Sequence, residues 1–238
     1  MRNYRTNSGP FIEKPFFKLA DIESICSDEL RKVDLLPATP SPIRIDRFIE
    51  KKFLIQPTYD ALPDGLLGFT RFGKDGVEEI VVTKALDEEG TRPAERRLRT
   101  TLAHEGGHGL LHAHLFAFGT RPDFLFGGQL ASDAPKILCR DDAASGVSGD
   151  AVKKPPYRWW EFQANQAMGA LLLPQMLVAA ALDTKLAAGG MLGMPVLPSK
   201  ERESAVGLLS ELFDVNPIVA RIRLEALYPV SAEQQLTL

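Results

Sequence analysis

Cysteine is scarce in this chain of 238 residues, which contains only Cys26 and Cys139. Two cysteines so far apart in sequence do not form the framework of a disulfide-rich secreted fold. Long apolar runs are also missing. The most apolar stretch, residues 168–182, is interrupted by Pro174 and is shorter than the ~20 residues that a membrane helix needs. We therefore expect a protein without membrane segments.

The chain also lacks an excess of positive charge. Its 28 Lys and Arg residues are outnumbered by 31 Asp and Glu residues, which gives a formal net charge of −3. Such a chain has no global attraction to a phosphate backbone, so direct nucleic-acid binding is not expected. Residues 1–5 do not begin the apolar core of a signal peptide. We therefore expect a cytoplasmic location.

What the chain does contain is the sequence HEGGH at residues 104–108. Residues four apart on an α-helix share one face and lie about 6 Å apart along its axis. His104 and His108 can therefore bind one divalent ion, and zinc in a catalytic site keeps one position open for water. Glu105 is the candidate catalytic base that takes a proton from this water. The alternative is a pair of surface histidines beside an ordinary helix glutamate.

Three glycines fall inside the predicted helix that carries this sequence, at positions 106, 107 and 109. Each costs about 0.5–1 kcal/mol relative to alanine, so local propensity does not explain the helix. We expect another element to pack closely against its backbone. Thr91 is predicted to cap its start, with Pro93 in the first turn.

A second predicted helix offers the third metal ligand. Glu161 and Asn165 lie four residues apart and share a helix face. Glu161 would complete a His2Glu set of the thermolysin type, and the Asn165 carboxamide oxygen would accept the outer N–H of a ligand histidine. Equally, a glutamate near the start of a helix can stabilise the helix through its charge interaction with the helix dipole, without binding metal.

Two further histidines compete for the third position. His112 lies about 12 Å along the axis from His104, too far to share one ion while the helix continues. His114 stands where metzincins place their third histidine. Position 111 is Leu instead of the glycine that this turn needs, which makes His114 a weaker candidate than Glu161.

The remaining pattern predicts an α+β fold, mostly helical, with a small antiparallel or mixed sheet before the HExxH helix. Helical periods cover residues 21–35 and the segment after Ser41 and Pro42. Strands at 66–72 and 77–83 are joined by a Gly-containing turn. Further elements are expected beyond the HExxH helix. They are a short strand at 136–139, a helix at 157–173, a second helix that follows it and ends at about Ala188, and two more helices at 205–213 and 217–227.

We divide the chain into three parts. Residues 1–40 form an N-terminal arm and helix, residues 41–188 a core, and residues 189–238 a linker and a helical pair packed on that core. Within the core, residues 119–158 form a long insertion beside the expected site. An insertion of this length is either a lid or substrate-binding loop, or a disordered decoration.

Three motifs follow one another along the chain: HEGGHGLLH at 104–112, WEFQAN at 160–165 and LLLP at 171–174. Together they resemble the ImmA/IrrE family of zinc-dependent metallopeptidases. The segments LFDV at 212–215 and ARIRL at 220–224 are similar to the closing helices of that family. The motifs occur in the order that the family shows.

The resemblance covers about residues 40–230 and implies a zincin-like domain with a gluzincin site. It implies Zn2+ as the cofactor, with His104, His108 and Glu161 as ligands and Glu105 as the base. Members of the family cut, or provoke cutting of, helix-turn-helix repressors of the phage type, releasing stress-response or mobile-element genes. The chain shows neither a repressor-type domain nor a sensor-like domain, so the resemblance implies a repressor or antitoxin partner in trans.

Peptide-bond hydrolysis also needs a group that stabilises the oxyanion. Tyr157, His112 and Arg158 are the candidates for this role or for a substrate contact. The hairpin at 66–83 could offer an edge to which an extended substrate adds as a strand. Cys139 suggests a latch, in which its thiolate occupies the open position of the zinc; the alternative is a buried, inert cysteine.

A regulator without catalytic activity is the rival hypothesis, with zinc structural or absent. The helical pair near the C-terminus could then be a helix-turn-helix that reads DNA. The charges of this pair argue against it, because Arg202, Arg221 and Arg223 are offset by neighbouring acidic residues and form no basic stripe. Core packing is the better explanation of the pair.

Overall fold

The structure is a computed structural model that describes residues 2–5, 13–117, 136–140, 159–189 and 194–230. It is an α+β fold with a small mixed sheet, as the sequence predicts. In the ranges described, no helix is both long and apolar enough to cross a membrane. The elements are, in chain order, β1 (Arg2–Arg5), β2 (Glu13–Phe16), α1 (Leu19–Lys32), α2 (Ile45–Phe53), β3 (Thr58–Asp60), β4 (Leu66–Gly73), β5 (Gly76–Thr83), α3 (Lys84–Glu89), α4 (Arg92–Ala117), β6 (Lys136–Arg140), α5 (Trp159–Leu172), α6 (Gln175–Ala181), β7 (Ala187–Gly189), β8 (Met194–Val196), a 3-10 turn (Ser199–Glu201), α7 (Arg202–Leu212) and α8 (Pro217–Leu227).

Helix α4 carries the HEGGH sequence and begins where the sequence predicts. The hydroxyl of Thr91 accepts a hydrogen bond from the backbone N–H of Ala94 at 3.3 Å. Pro93 occupies the first turn, where its missing N–H has no helical partner to lose. From this cap the helix continues for 26 residues, so all four histidines of the chain lie on it.

The four-stranded sheet has the order β3-β5-β4-β6. Strands β4 and β5 form the predicted hairpin, with Thr70 opposite Ile80. The predicted strand at 136–139 is confirmed as β6, which pairs antiparallel with β4. Because β3 pairs in parallel with β5, the sheet is mixed. Three of its strands precede α4, and β6 completes it only after that helix.

The pairing of β6 removes one of the two edges that the hairpin could offer to a substrate. Both edges of β4 are occupied, one by β5 and the other by β6. An extended substrate therefore has no access to the edge of β4 itself. The outermost strand on this side of the described sheet is β6.

Strand β4 lies along α4 and turns a small and a polar residue towards it. A Cβ atom on Gly68 would lie 2.9 Å from the methyl group of Thr101, so only glycine allows this approach. Two residues further on, the hydroxyl of Thr70 contacts Glu105. The strand thus brings a hydroxyl group to the HEGGH sequence.

Close packing explains two of the three helix glycines. A Cβ atom on Gly107 would lie 3.0 Å from the carbonyl oxygen of Ala164 on α5, and one on Gly109 would lie 2.6 Å from the ring of Phe53. The expected close contact with the helix backbone is therefore confirmed at these positions. Gly106 differs, because a Cβ atom there would meet its nearest neighbours at 3.9 Å, an ordinary contact distance.

The helical pair α7 and α8 packs into the main core, to which Leu209, Phe213 and Leu224 contribute fully buried side chains. The three arginines considered for a DNA-binding stripe all bond to groups of the same chain. Arg223 is buried and pairs with Glu23 of α1, Arg221 pairs with Glu203, and Arg202 donates to the carbonyl of Tyr228.

Two predictions about the periphery are wrong. The apolar helix expected to reach about Ala188 ends at Ala181, and the chain then forms the small hairpin β7–β8 where a linker was predicted. Alanine favours a helix, but strand pairing overrides such local preference. The N-terminal arm is also more regular than expected, because β1 and β2 pair antiparallel.

Candidate metal centre

Helices α4 and α5 bring three nitrogen and oxygen atoms to one point. The Nε2 atoms of His104 and His108 lie 3.0 Å apart. Oε2 of Glu161 lies 3.2 Å from Nε2 of His104 and 3.6 Å from Nε2 of His108. Both imidazoles are completely buried, whereas the Glu161 side chain is 18% exposed. The three residues predicted as ligands are therefore together, with solvent reaching the glutamate side.

This triangle has the dimensions of a zinc site. In a tetrahedral site with bonds of about 2.0–2.1 Å, two ligand atoms lie about 3.4 Å apart. The three observed separations, from 3.0 to 3.6 Å, lie on both sides of this value. His104, His108 and Glu161 could thus hold one metal ion between them.

The hydrogen bonds of His104 also suit a metal ligand. Its Nδ1 lies 3.0 Å from the carboxamide oxygen of Asn165, and an oxygen of this kind only accepts. The ring hydrogen therefore sits on Nδ1, which leaves the lone pair of Nε2 directed at the shared point. This is the contact that the sequence predicts for Asn165.

The carboxylate of Glu161 is ionised in this setting. Burial opposes ionisation, but the charges and hydrogen bonds of His108 and His104 outweigh it and hold the pKa of Glu161 far below its ordinary value. Its other oxygen, Oε1, is buried and has no hydrogen-bond partner among the described residues. A metal ion that both oxygens reached would satisfy a buried carboxylate that the described residues leave half unpaired.

Glu105 is fully buried beside the ligands. The hydroxyl of Thr70 donates to its Oε2 at 2.5 Å, while Oε1 has no hydrogen-bond partner in the described part of the chain. Burial raises the pKa of this carboxyl group to about 8. The site therefore contains a basic carboxylate with one oxygen held in place and the other available.

His112 does not fill the role suggested for it. Its side chain is completely buried. Nδ1 lies 3.0 Å from Nδ1 of His108 and Nε2 lies 3.0 Å from Oε1 of Gln163. With both ring nitrogens engaged inside the protein, His112 is not placed to stabilise an oxyanion or contact a substrate. His114 lies outside the three-residue cluster.

The other sequence-predicted groups fall outside the description. Tyr157 and Arg158 lie outside the described residues, as does most of the 119–158 insertion. Cys139 lies in β6, but its side chain is not among those described. An oxyanion role for Tyr157 or Arg158 and a latch at Cys139 therefore stay predictions.

Two residues of the site were not singled out from the sequence, Thr70 and Gln163. Each could have been noticed in the sequence, because it is a polar residue on an otherwise apolar face. Thr70 alternates with Gly68 and Phe72 along the buried side of β4, and Gln163 is buried within the apolar face of α5. Buried polar groups require partners, and here those partners are Glu105 and His112.

Comparisons of the chain with protein-family models, with curated proteins and with solved structures give no match. The link to zinc peptidases therefore rests on the motifs of the sequence and on the geometry of this centre.

Proposed function

We propose that this protein is a zinc-dependent metalloendopeptidase, with His104, His108 and Glu161 as the zinc ligands and Glu105 as the general base. One observation carries the proposal. Three ligand atoms from two helices converge within 3.6 Å, and the residue that follows the first ligand is a buried carboxylate with an oxygen that no described group binds. Two helices that only packed against each other would need neither the converging ligand atoms nor the buried carboxylate.

The fold class proposed with this activity is zincin-like. Two relations support it. The helix with the HExxH sequence packs on one side against β4, whose Thr70 bonds to Glu105. On its other side it packs against α5, which carries the third ligand. A helix between a sheet and a ligand-bearing helix holds the metal residues rigidly, as precise chemistry requires.

When bound, the zinc supplies an acidified water and a Lewis acid for the carbonyl of the scissile bond. The residues of the chain do the rest. Glu105 takes the proton from the attacking water and returns it to the leaving amine. Thr70 fixes one oxygen of Glu105, so the proton transfers take place at Oε1. Burial raises the pKa of Glu105 towards the neutral range, in which a carboxyl group can both take up and release a proton.

An extended peptide is proposed to bind along β6. This strand is outermost on its side of the described sheet, and it pairs with β4 at Thr70, the residue that bonds to Glu105. Addition of a strand to such an edge supplies main-chain hydrogen bonds that do not depend on the substrate sequence. Side-chain pockets would then select the cleavage site.

The proposed substrate is a helix-turn-helix repressor or antitoxin of the XRE type, supplied in trans. The motif resemblance supports a repressor or antitoxin as the substrate. The arginines of α7 and α8 bond within the chain, which favours a protein substrate over DNA as the partner.

The test is the variant Glu105→Gln. The amide keeps the shape of the side chain and an oxygen for Thr70 but cannot take a proton, so cleavage should fall by about 10²–10⁴-fold while zinc content stays at one ion per chain. Glu161→Ala is the contrasting variant and should lose zinc. Undiminished cleavage by Glu105→Gln would eliminate this mechanism. Wild-type protein that holds zinc and binds a repressor without cutting it would favour the regulator hypothesis.

A further inference from the structure

A line of hydrogen bonds leads away from the ligand His108 into the protein. Nδ1 of His108 lies 3.0 Å from Nδ1 of His112, and Nε2 of His112 lies 3.0 Å from Oε1 of Gln163. The amide nitrogen of Gln163 then donates to the carbonyl oxygen of Pro15 at 2.8 Å. All of these contacts are buried. They connect a metal ligand with the N-terminal hairpin β1–β2.

The carbonyl group of Pro15, at the end of this series, determines which atom donates in each of the hydrogen bonds. A proline carbonyl only accepts, so Gln163 must turn its NH2 group towards Pro15 and its oxygen towards His112. That oxygen also only accepts, so the hydrogen of His112 sits on Nε2. His112 is completely buried and hydrogen-bonds to His108 and Gln163 but to no carboxylate of the described residues, so its imidazole is neutral and carries one hydrogen. Nδ1 of His112 is therefore an acceptor, and His108 must donate to it from Nδ1.

The consequence for His108 is a fixed tautomer. Its one hydrogen is on Nδ1, so Nε2 presents a lone pair towards His104 and Glu161. With the opposite direction of bonding, Nε2 of His108 would carry a hydrogen pointing at the shared point, and no metal could bind there. A ligand histidine whose outer N–H is held in this way binds metal more tightly.

We propose that His112 and Gln163 are positioning residues that lock His108 in its metal-binding tautomer, and that the lock is anchored on the N-terminal hairpin at Pro15. This inference rests on the zinc site of the proposed function. Helix α5 then contributes three groups over five residues: Gln163 and Asn165 orient the two histidines, and Glu161 is the third ligand. The hairpin belongs structurally to the metal centre.

The first test compares the zinc affinity of two matched variants by competition with a chelator. Gln163→Leu removes the acceptor of His112 and should weaken zinc binding by about tenfold or more, within the roughly 10–100-fold range for such partners. Gln166→Leu makes the same change one turn further along α5, at a partly exposed position, and should leave the affinity unchanged. Gln163→Glu should retain most of it, because a protonated carboxyl group can donate to the carbonyl oxygen of Pro15 and still offer His112 its other oxygen.

The second test reads the tautomers directly by 15N NMR of the histidine rings in the metal-free wild-type protein, because bound zinc would itself force the hydrogen of His108 onto Nδ1. His112 should carry its hydrogen on Nε2, and in Gln163→Leu it should become a mixture of tautomers. A wild-type His112 protonated on Nδ1 would overturn the inference, even if the variant failed to fold. Equal zinc affinity of Gln163→Leu and wild type would also overturn it. A wild type that binds no zinc would instead refute the proposed function.

Discussion

Adjacent glycines of α4 should respond in opposite ways to the same substitution. Gly106 and Gly107 both lie between the histidine ligands in a buried helix, and replacing either by alanine removes the entropic cost of glycine, about 0.5–1 kcal/mol. Their surroundings differ. At Gly106 the new Cβ atom would lie 3.9 Å from side-chain atoms of Ile49 and Leu171, which is ordinary contact in an apolar environment.

At Gly107 the new Cβ atom would lie 3.0 Å from both the carbonyl oxygen of Ala164 and the Cβ atom of Ala167. Neither is the end of a flexible side chain, so α5 must move away from α4. Overpacking of this kind costs about 1–3 kcal/mol, which exceeds the gain in helix propensity. Gly107→Ala should therefore lose up to about 2 kcal/mol of unfolding free energy. Gly106→Ala should gain about 1 kcal/mol.

Urea unfolding of the two metal-free variants measures this difference, and zinc affinity provides a second reading. Moving α5 also moves Glu161 away from the histidines, so Gly107→Ala should bind zinc more weakly than Gly106→Ala does. If Gly107→Ala proved as stable as Gly106→Ala, the close approach of α4 and α5 would be refuted. So would the reason given for a glycine at position 107.

Two further predictions concern Thr70 and Asp214. Thr70→Val removes the hydroxyl that holds Glu105 and should lower kcat about tenfold with zinc content unchanged, and an unchanged kcat would dismiss this role. Asp214 closes the turn between α7 and α8 at a positive φ of 51°, which Asn also tolerates. Asp214→Asn should therefore keep the turn but lose the charge and one of the two oxygens that accept from Arg96 and Arg99, which should cost about 1–3 kcal/mol at pH 7. Burial opposes ionisation of Asp214, but Arg96 and its neighbours outweigh it and lower the pKa. This stabilisation is complete above the ordinary pKa of about 4 and is lost as pH falls through the lowered pKa. Urea unfolding should show the variant and wild type converging in acid, and a constant difference would contradict the ion pairs.

The metal residues could be predicted from sequence because their geometry is mostly local. Spacing of four residues on one helix fixes how His104 and His108 lie relative to each other, and the same holds for Glu161 and Asn165. Whether these two pairs of residues meet at one site depends on how closely α4 approaches α5. Gly107 marked that approach, but only the structure shows that the Ala164 carbonyl is the group it meets.

His112 shows why the rest was harder to predict. Its spacing from His108 predicts neighbouring rings, and the ring centroids are indeed 5.1 Å apart. Nothing in that spacing reveals that Gln163 engages the other nitrogen, or that Pro15, 148 residues away in sequence, accepts from Gln163. The hairpins β1–β2 and β7–β8 were missed for the same reason, since their short strands are defined by pairing and not by a hydrophobic period.

The zinc X-ray absorption spectrum of the loaded protein tests the central claim most directly. The account predicts one zinc ion with two imidazole nitrogens and two oxygens at about 2.0–2.1 Å, one oxygen from Glu161 and the other from water. A spectrum with fewer than two imidazoles would contradict it, whereas sulfur at about 2.3 Å in the position reserved for water would indicate the latch at Cys139. Protein that retains no zinc at all would also contradict it.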